Sequence, residues 1–200
     1  MNRQKMINAA NTFDTIAKVA GGISRAGVIV CAVFLALVLI LGEKVFAAGS
    51  LSLDLDFVKL YLADSLQTVT PGVKVYAVLS LLAAGVLCGV LSYICGRVRA
   101  LLVPMKEGRP FEEGAPTALR RIAWAIIAGG ALAQIMGMVE RFVLTRAYPM
   151  EEIFASAAIS RVEYVFTADL GFVLLGCVVV LLSYIFSYGQ ALQRESDETL

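Results

Sequence analysis

The chain contains no histidine. That single absence removes the side chain whose charge changes near neutral pH, the usual general base and the commonest metal ligand. Neither sign of charge dominates, since 17 Lys and Arg stand against 16 Asp and Glu for a net charge of +1. Without a cationic excess to neutralise phosphates, direct nucleic-acid binding driven by overall charge is not expected. Charge of either sign is scarce, at 16% of residues against roughly a quarter in soluble domains. There is no G-x-S-x-G turn and no P-loop, the signatures of an activated serine and of a phosphate cradle. These absences argue against an enzyme, and no cofactor is expected.

Cysteines are few as well. Cys31, Cys88, Cys95 and Cys177 all lie within apolar runs, where a thiol behaves as a small hydrophobe. Cys88 and Cys95 share a helical face, but the short C-x2-C spacing of zinc sites is missing. No metal site is expected.

What is abundant is apolar surface: 59% of residues are hydrophobic and the mean hydropathy is +0.80. A helix needs about 20 apolar residues to cross a bilayer core. Four runs qualify, at 23–41, 73–95, 122–139 and 170–188. Between them lie charged segments punctuated by Gly and Pro, notably 96–121 with Pro104, Pro110 and Pro116, so each run reads as a separate span. The expected fold is an all-α integral membrane protein, a single domain with a four transmembrane helix bundle and a lipid bilayer as its first partner.

Positive residues favour the cytoplasmic side of short loops. The segments 1–22, 96–121 and 189–200, with Arg25 at a span end, carry eleven Lys and Arg, against six in and beside 42–72 and 140–169. Both termini are therefore expected in the cytoplasm, and 42–72 and 140–169 outside. Tyr93, Trp124, Tyr184 and Tyr188 lie near span ends, at the headgroup depth that aromatic rings favour.

Residues 1–22 place Met6, Ala10, Phe13, Ile16, Ala17 and Ala20 at helical spacing, with Asn8, Asn11, Asp14 and Lys18 elsewhere on the wheel. This pattern predicts an amphipathic N-terminal helix lying on the inner leaflet. A cleaved signal peptide fits poorly, because the amino-terminal region is long and Glu43 and Lys44 intervene before the A-x-A-like site. Outside, 51–57 alternates apolar and polar residues as a half-buried strand does. The segment 147–169 contains the strand-forming stretch Val162–Phe166 and a more helical part at 150–158. A small extracellular β/α cap built from both loops is expected.

Small residues mark where helices approach closely. Ala125, Gly129, Ala133 and Gly137 recur every four residues along the third span, and Gly85 and Gly89 form a GxxxG pair in the second. Both patterns suit close helix packing, within one chain or between copies in a homo-oligomer. Gln134 is the most polar side chain near mid-span. An unpaired amide in hydrocarbon is costly, so it should face the bundle as a hydrogen-bonding group or, alternatively, line a path.

Two segments carry more specific patterns. The central loop reads Gly108-Arg109-Pro110-Phe111, followed by Leu119-Arg120-Arg121-Ile122. The end of the chain reads Gly189-Gln190-Ala191-Leu192-Gln193-Arg194-Glu195-Ser196-Asp197-Glu198-Thr199. With the four-span layout, this G-x-P-F loop, L-R-x-I and terminal G-x-x-L-Q-x-E-x-D-E-T resemble the DUF2975 family of small bacterial four-helix membrane proteins. Family tails commonly place an apolar residue where this chain has Glu198. The resemblance implies a protein of the bacterial cytoplasmic membrane without an established activity, often encoded beside a helix-turn-helix regulator. The function expected is regulatory: a cytoplasmic face, with Phe111, Gln190, Gln193 and Asp197 as contacts, presented to a transcriptional regulator. A small transporter or channel subunit using Gln134 is the alternative.

Overall fold

A computed structural model describes residues 3–41, 52–55, 58–61, 71–107, 114–147 and 169–198. Four helices dominate: α1 (Arg3–Leu41), α2 (Pro71–Lys106), α3 (Ala115–Ala147) and α4 (Gly171–Glu198). All four are long and apolar enough to cross a membrane. At about 1.5 Å rise per residue, the 39 residues of α1 extend roughly twice the ~30 Å hydrocarbon core. Large apolar side chains such as Ile23, Ile40, Leu174 and Ile185 are exposed, as lipid-facing residues must be, whereas small ones occupy the contacts.

The helices contribute to two compact units, the first comprising Met1–Val28, Val86–Gln134 and Ala168–Leu200. Within it the amino-terminal part of α1 runs antiparallel to α2 along a seam of small side chains. A β-carbon on Gly21 would meet Cys95 Cβ at 3.2 Å, and one on Gly27 would meet Cys88 Sγ at 2.9 Å. Ala10, Ala17 and Ser24 are buried on the same stripe, and Arg25 Nε donates to Ser92 Oγ at 3.4 Å. On α3, adjacent glycines serve opposite neighbours. Gly129 lies against Val90 of α2, and Gly130 against the base of the Phe172 side chain of α4. Gly176 of α4 lies in turn against Ile127 and the Ala123 carbonyl. Ala123 and Ser183 are fully buried, and the Ser183 hydroxyl returns to the Val180 carbonyl at 2.7 Å, so that no polar atom is stranded there.

The second unit comprises Ile29–Gly85 and Ile135–Thr167. The glycine and cysteine roles are exchanged here: Cys31 of α1 lies 3.5 Å from where a β-carbon on Gly85 would sit. Two four-residue strands, β1 (Ser52–Leu55) and β2 (Val58–Tyr61), pair antiparallel in the register Ser52–Tyr61 to Leu55–Val58.

Two expectations are corrected. The amphipathic N-terminal helix does not exist as a separate element, because residues 3–41 form one unbroken helix. Its large residues Phe13 and Ile16 are exposed, whereas Ala10 and Ala17 are buried, so the contact face is a stripe with little side-chain bulk. The expected β/α cap drawn from both outer loops is not supported. β1 pairs with the segment next to it, which needs only a short loop to close, and 148–168 lies outside the described residues. Of the small-residue stripes, Gly85 and Gly129 meet a neighbouring helix, whereas a β-carbon at Gly89 or Gly137 would have nothing within 4 Å. Repeat spacing shows which residues share a face, but not which stretch of that face another helix reaches. Ala125 and Ala133 are partly buried.

Candidate functional site

The polar chemistry of the first unit collects where α2 ends and α3 begins. Asp14 lies on the buried stripe of α1, nine residues before the apolar stretch starting at Ile23. Its Oδ2 accepts from Lys106 Nζ at 2.6 Å and its Oδ1 from Arg99 Nε at 3.0 Å. Arg99 and Lys106 are seven residues apart, two turns on one face of α2, so one carboxylate clamps two turns of the neighbouring helix. The hydrogen bond from Lys106, then that from Arg99, hold the Asp14 carboxyl below the usual carboxylate range, as donors to the charged form do. The sequence signal is an acidic residue in helical register with Ala10, Ala17 and Gly21, together with two cations at heptad spacing on another span.

The arginines nearby divide their roles. Arg120 lies over the Tyr184 ring of α4 at 5.7 Å, and Arg97 over the Tyr93 ring at 5.0 Å. Arg97 and Arg121 also line a cleft between the end of α2 and the first turn of α3. Glu107 N–H donates to the Pro104 carbonyl at 3.1 Å, closing α2, and Ala118 N–H to the Gly114 carbonyl at 3.0 Å, opening α3. Pro116 falls in that first turn, where the missing N–H costs little.

The residues singled out in the sequence are dispersed. Gln190 and Gln193 lie on α4, whose backbone stays helical through position 197, so the three positions follow one stripe at spacings of three and four. Gln193 is exposed and Gln190 half-buried. Phe111 lies outside the described residues. Gln134 belongs to a different locality: its Nε2 donates to the Asp169 carbonyl at 2.9 Å. The Asp169 side chain accepts from Gly171 N–H at 2.8 Å, an Asx turn that leads into α4. Gln134 thus ties α3 to the start of α4.

Four long apolar helices, packed through small residues with their large apolar side chains exposed, define a multi-pass helical membrane protein. The chain belongs to the family described as protein of unknown function (DUF2975), which matches residues 61–200. No curated protein and no solved structure matches it.

Proposed function

We infer that this chain is a non-enzymatic interaction protein of the bacterial cytoplasmic membrane, with both termini inside, whose inner face binds a helix-turn-helix regulator. The observation that carries this reading is the continuation of α4. The apolar run ends at Tyr188, yet the helix persists to Glu198. It holds Gln190, Gln193 and position 197 on one stripe beyond the membrane, over the terminal motif that resembles the family's. A preformed helix loses little conformational entropy when a partner docks. The excess of Lys and Arg in 1–22, 96–121 and 189–200 supports the inside placement of this end. The alternative of a small transporter or channel subunit draws no support from Gln134, whose amide is engaged with the Asp169 carbonyl.

The test is affinity capture from the native cells of the detergent-solubilised full-length chain and of one lacking Gln190–Leu200. A DNA-binding regulator retained only by the full-length chain is the expected result. Equal capture by both, with the truncated chain normally inserted, would refute the assignment to α4.

A further inference from the structure

The cleft between α2 and α3 encloses about 400 Å³, the volume of roughly a dozen waters and within the range of small-ligand sites. Arg97 of α2 and Arg121 of α3 line its two walls, with Leu101, Pro104, Ala115 and Thr117 between them. Among the described residues lining it there is no carboxylate. Arg97 rests over the Tyr93 ring, which leaves the guanidinium edge available for hydrogen bonding. Of the adjacent pair on α3, Arg120 stacks on Tyr184 and Arg121 faces the cleft. The Ala115 and Thr117 N–H groups precede the first residue with an intrahelical acceptor and add weaker positive character to the same wall.

The cleft also lies at a definite depth. Arg97 follows the apolar stretch of α2 by two residues, and Arg121 immediately precedes that of α3. Tyr93 and Trp124, both exposed, mark the headgroup layer on this side. A cationic cleft with an apolar wall at headgroup depth matches an anion carrying an apolar tail: basic pockets between transmembrane helices take phosphorylated headgroups, and an arginine fork matches phosphate geometry.

We propose that this cleft binds a phosphate group through Arg97 and Arg121, either the phosphodiester of an anionic phospholipid of the adjoining leaflet or free phosphate. The ligand would bridge α2 to α3 at the membrane surface. The site is independent of the partner-binding face on α4.

The test is a native mass-spectrometry titration of the full-length chain in detergent. The probes are a short-chain phosphatidylglycerol, a phosphatidylcholine of the same chain length, and inorganic phosphate. Phosphatidylglycerol is expected to bind at least tenfold more tightly than phosphatidylcholine. R97Q/R121Q should weaken that binding at least tenfold, and so should Ala118→Leu, which fills the cleft and keeps both charges. R120Q, which removes the same charge one residue away, should change it less than twofold. Displacement by excess inorganic phosphate identifies free phosphate as the ligand, and resistance identifies the lipid. Equal binding of the two lipids together with no binding of inorganic phosphate, unchanged binding by R97Q/R121Q, or equal losses in R120Q and R97Q/R121Q would overturn the proposal. Should Ala118→Leu fail to give a monodisperse protein, the arginine variants decide alone.

Discussion

Three glycines of α3 offer a graded test of how the helices pack. Replacing Gly by Ala inside a helix gains about 1 kcal/mol in propensity wherever the new methyl fits. At Gly137 it meets nothing within 4 Å, so Gly137→Ala should be stabilising by up to about 1 kcal/mol. At Gly129 the new carbon would lie 2.7 Å from Val90 Cγ1, a side chain that can shift only slightly. Overpacking costs of about 1–3 kcal/mol then offset the gain and leave a net loss of about 0–2 kcal/mol. At Gly130 the methyl would overlap Cβ and Cγ of Phe172, the rooted end of a rigid ring, so α3 and α4 must separate. A net loss of about 2 kcal/mol or more follows from the upper end of that range. Thermal unfolding of the purified variants in one detergent reads these differences, at about 2–4 °C per kcal/mol for a chain this size. The expected order of melting temperature is Gly137→Ala above wild type, then Gly129→Ala, then Gly130→Ala lowest. The spacing of four in the sequence implies a different order, with 129 and 137 equally sensitive and 130 indifferent. That order, if observed, would refute the packing described.

The Gly27–Cys88 contact predicts a rescue: Gly27→Ala lowers the melting temperature, and Cys88→Gly in the same chain recovers part of the loss, because a double-mutant cycle isolates terms between touching residues. Gln134→Leu should cost about 1 kcal/mol through the lost bond to the Asp169 carbonyl, visible as a small drop in melting temperature with no change in oligomer size. Because the Asp14 carboxyl is held below its ordinary range, its contribution to docking α1 on α2 is complete above the ordinary carboxylate range. It is lost as pH falls through the depressed value. Protection of the amides over residues 3–20, taken as exchange relative to the intrinsic rate at each pH, should therefore fall in acid for the wild type. Asp14→Asn should exchange faster already at pH 7 and respond much less to acid; wild-type rates in the variant at pH 7 would remove Asp14 from that role.

The four spans were legible in the sequence because lipid demands a long apolar run whatever its neighbours are, and each run falls on its own helix apart from Leu170, which just precedes α4. The family was legible in the loop and tail motifs. The unbroken course of α1 was not, since amphipathic periodicity marks a broad apolar face, and the contact face of α1 instead carries Ala10, Ala17, Gly21 and Ser24. Strand character at 52–55 was legible by alternation. Its partner lies where the alternation resumes, in Val58-Lys59-Leu60-Tyr61, since a neighbouring segment is the easiest to reach. At the membrane boundary, Arg120 and Arg121 are indistinguishable as a dipeptide; their different roles follow from a 100° step around the helix, which sets one against Tyr184 and the other toward the cleft.

The seam between α1 and α2 turns the usual logic of tolerance inside out. In a water-soluble helix the buried face resists change because large apolar side chains fill a core, and the outward face drifts. Along α1 the outward positions, such as Phe13, Ile16, Ile23 and Ile40, need only remain compatible with lipid or its headgroups, and many side chains satisfy that. The inward positions Gly21, Ser24, Gly27 and Cys31 have almost no freedom upward in volume, since even one added methyl has no room at Gly27. A saturation library across α1 would show bulk excluded along a single stripe and accepted nearly everywhere else. The information that specifies this helix is stored in the places where side chains are missing.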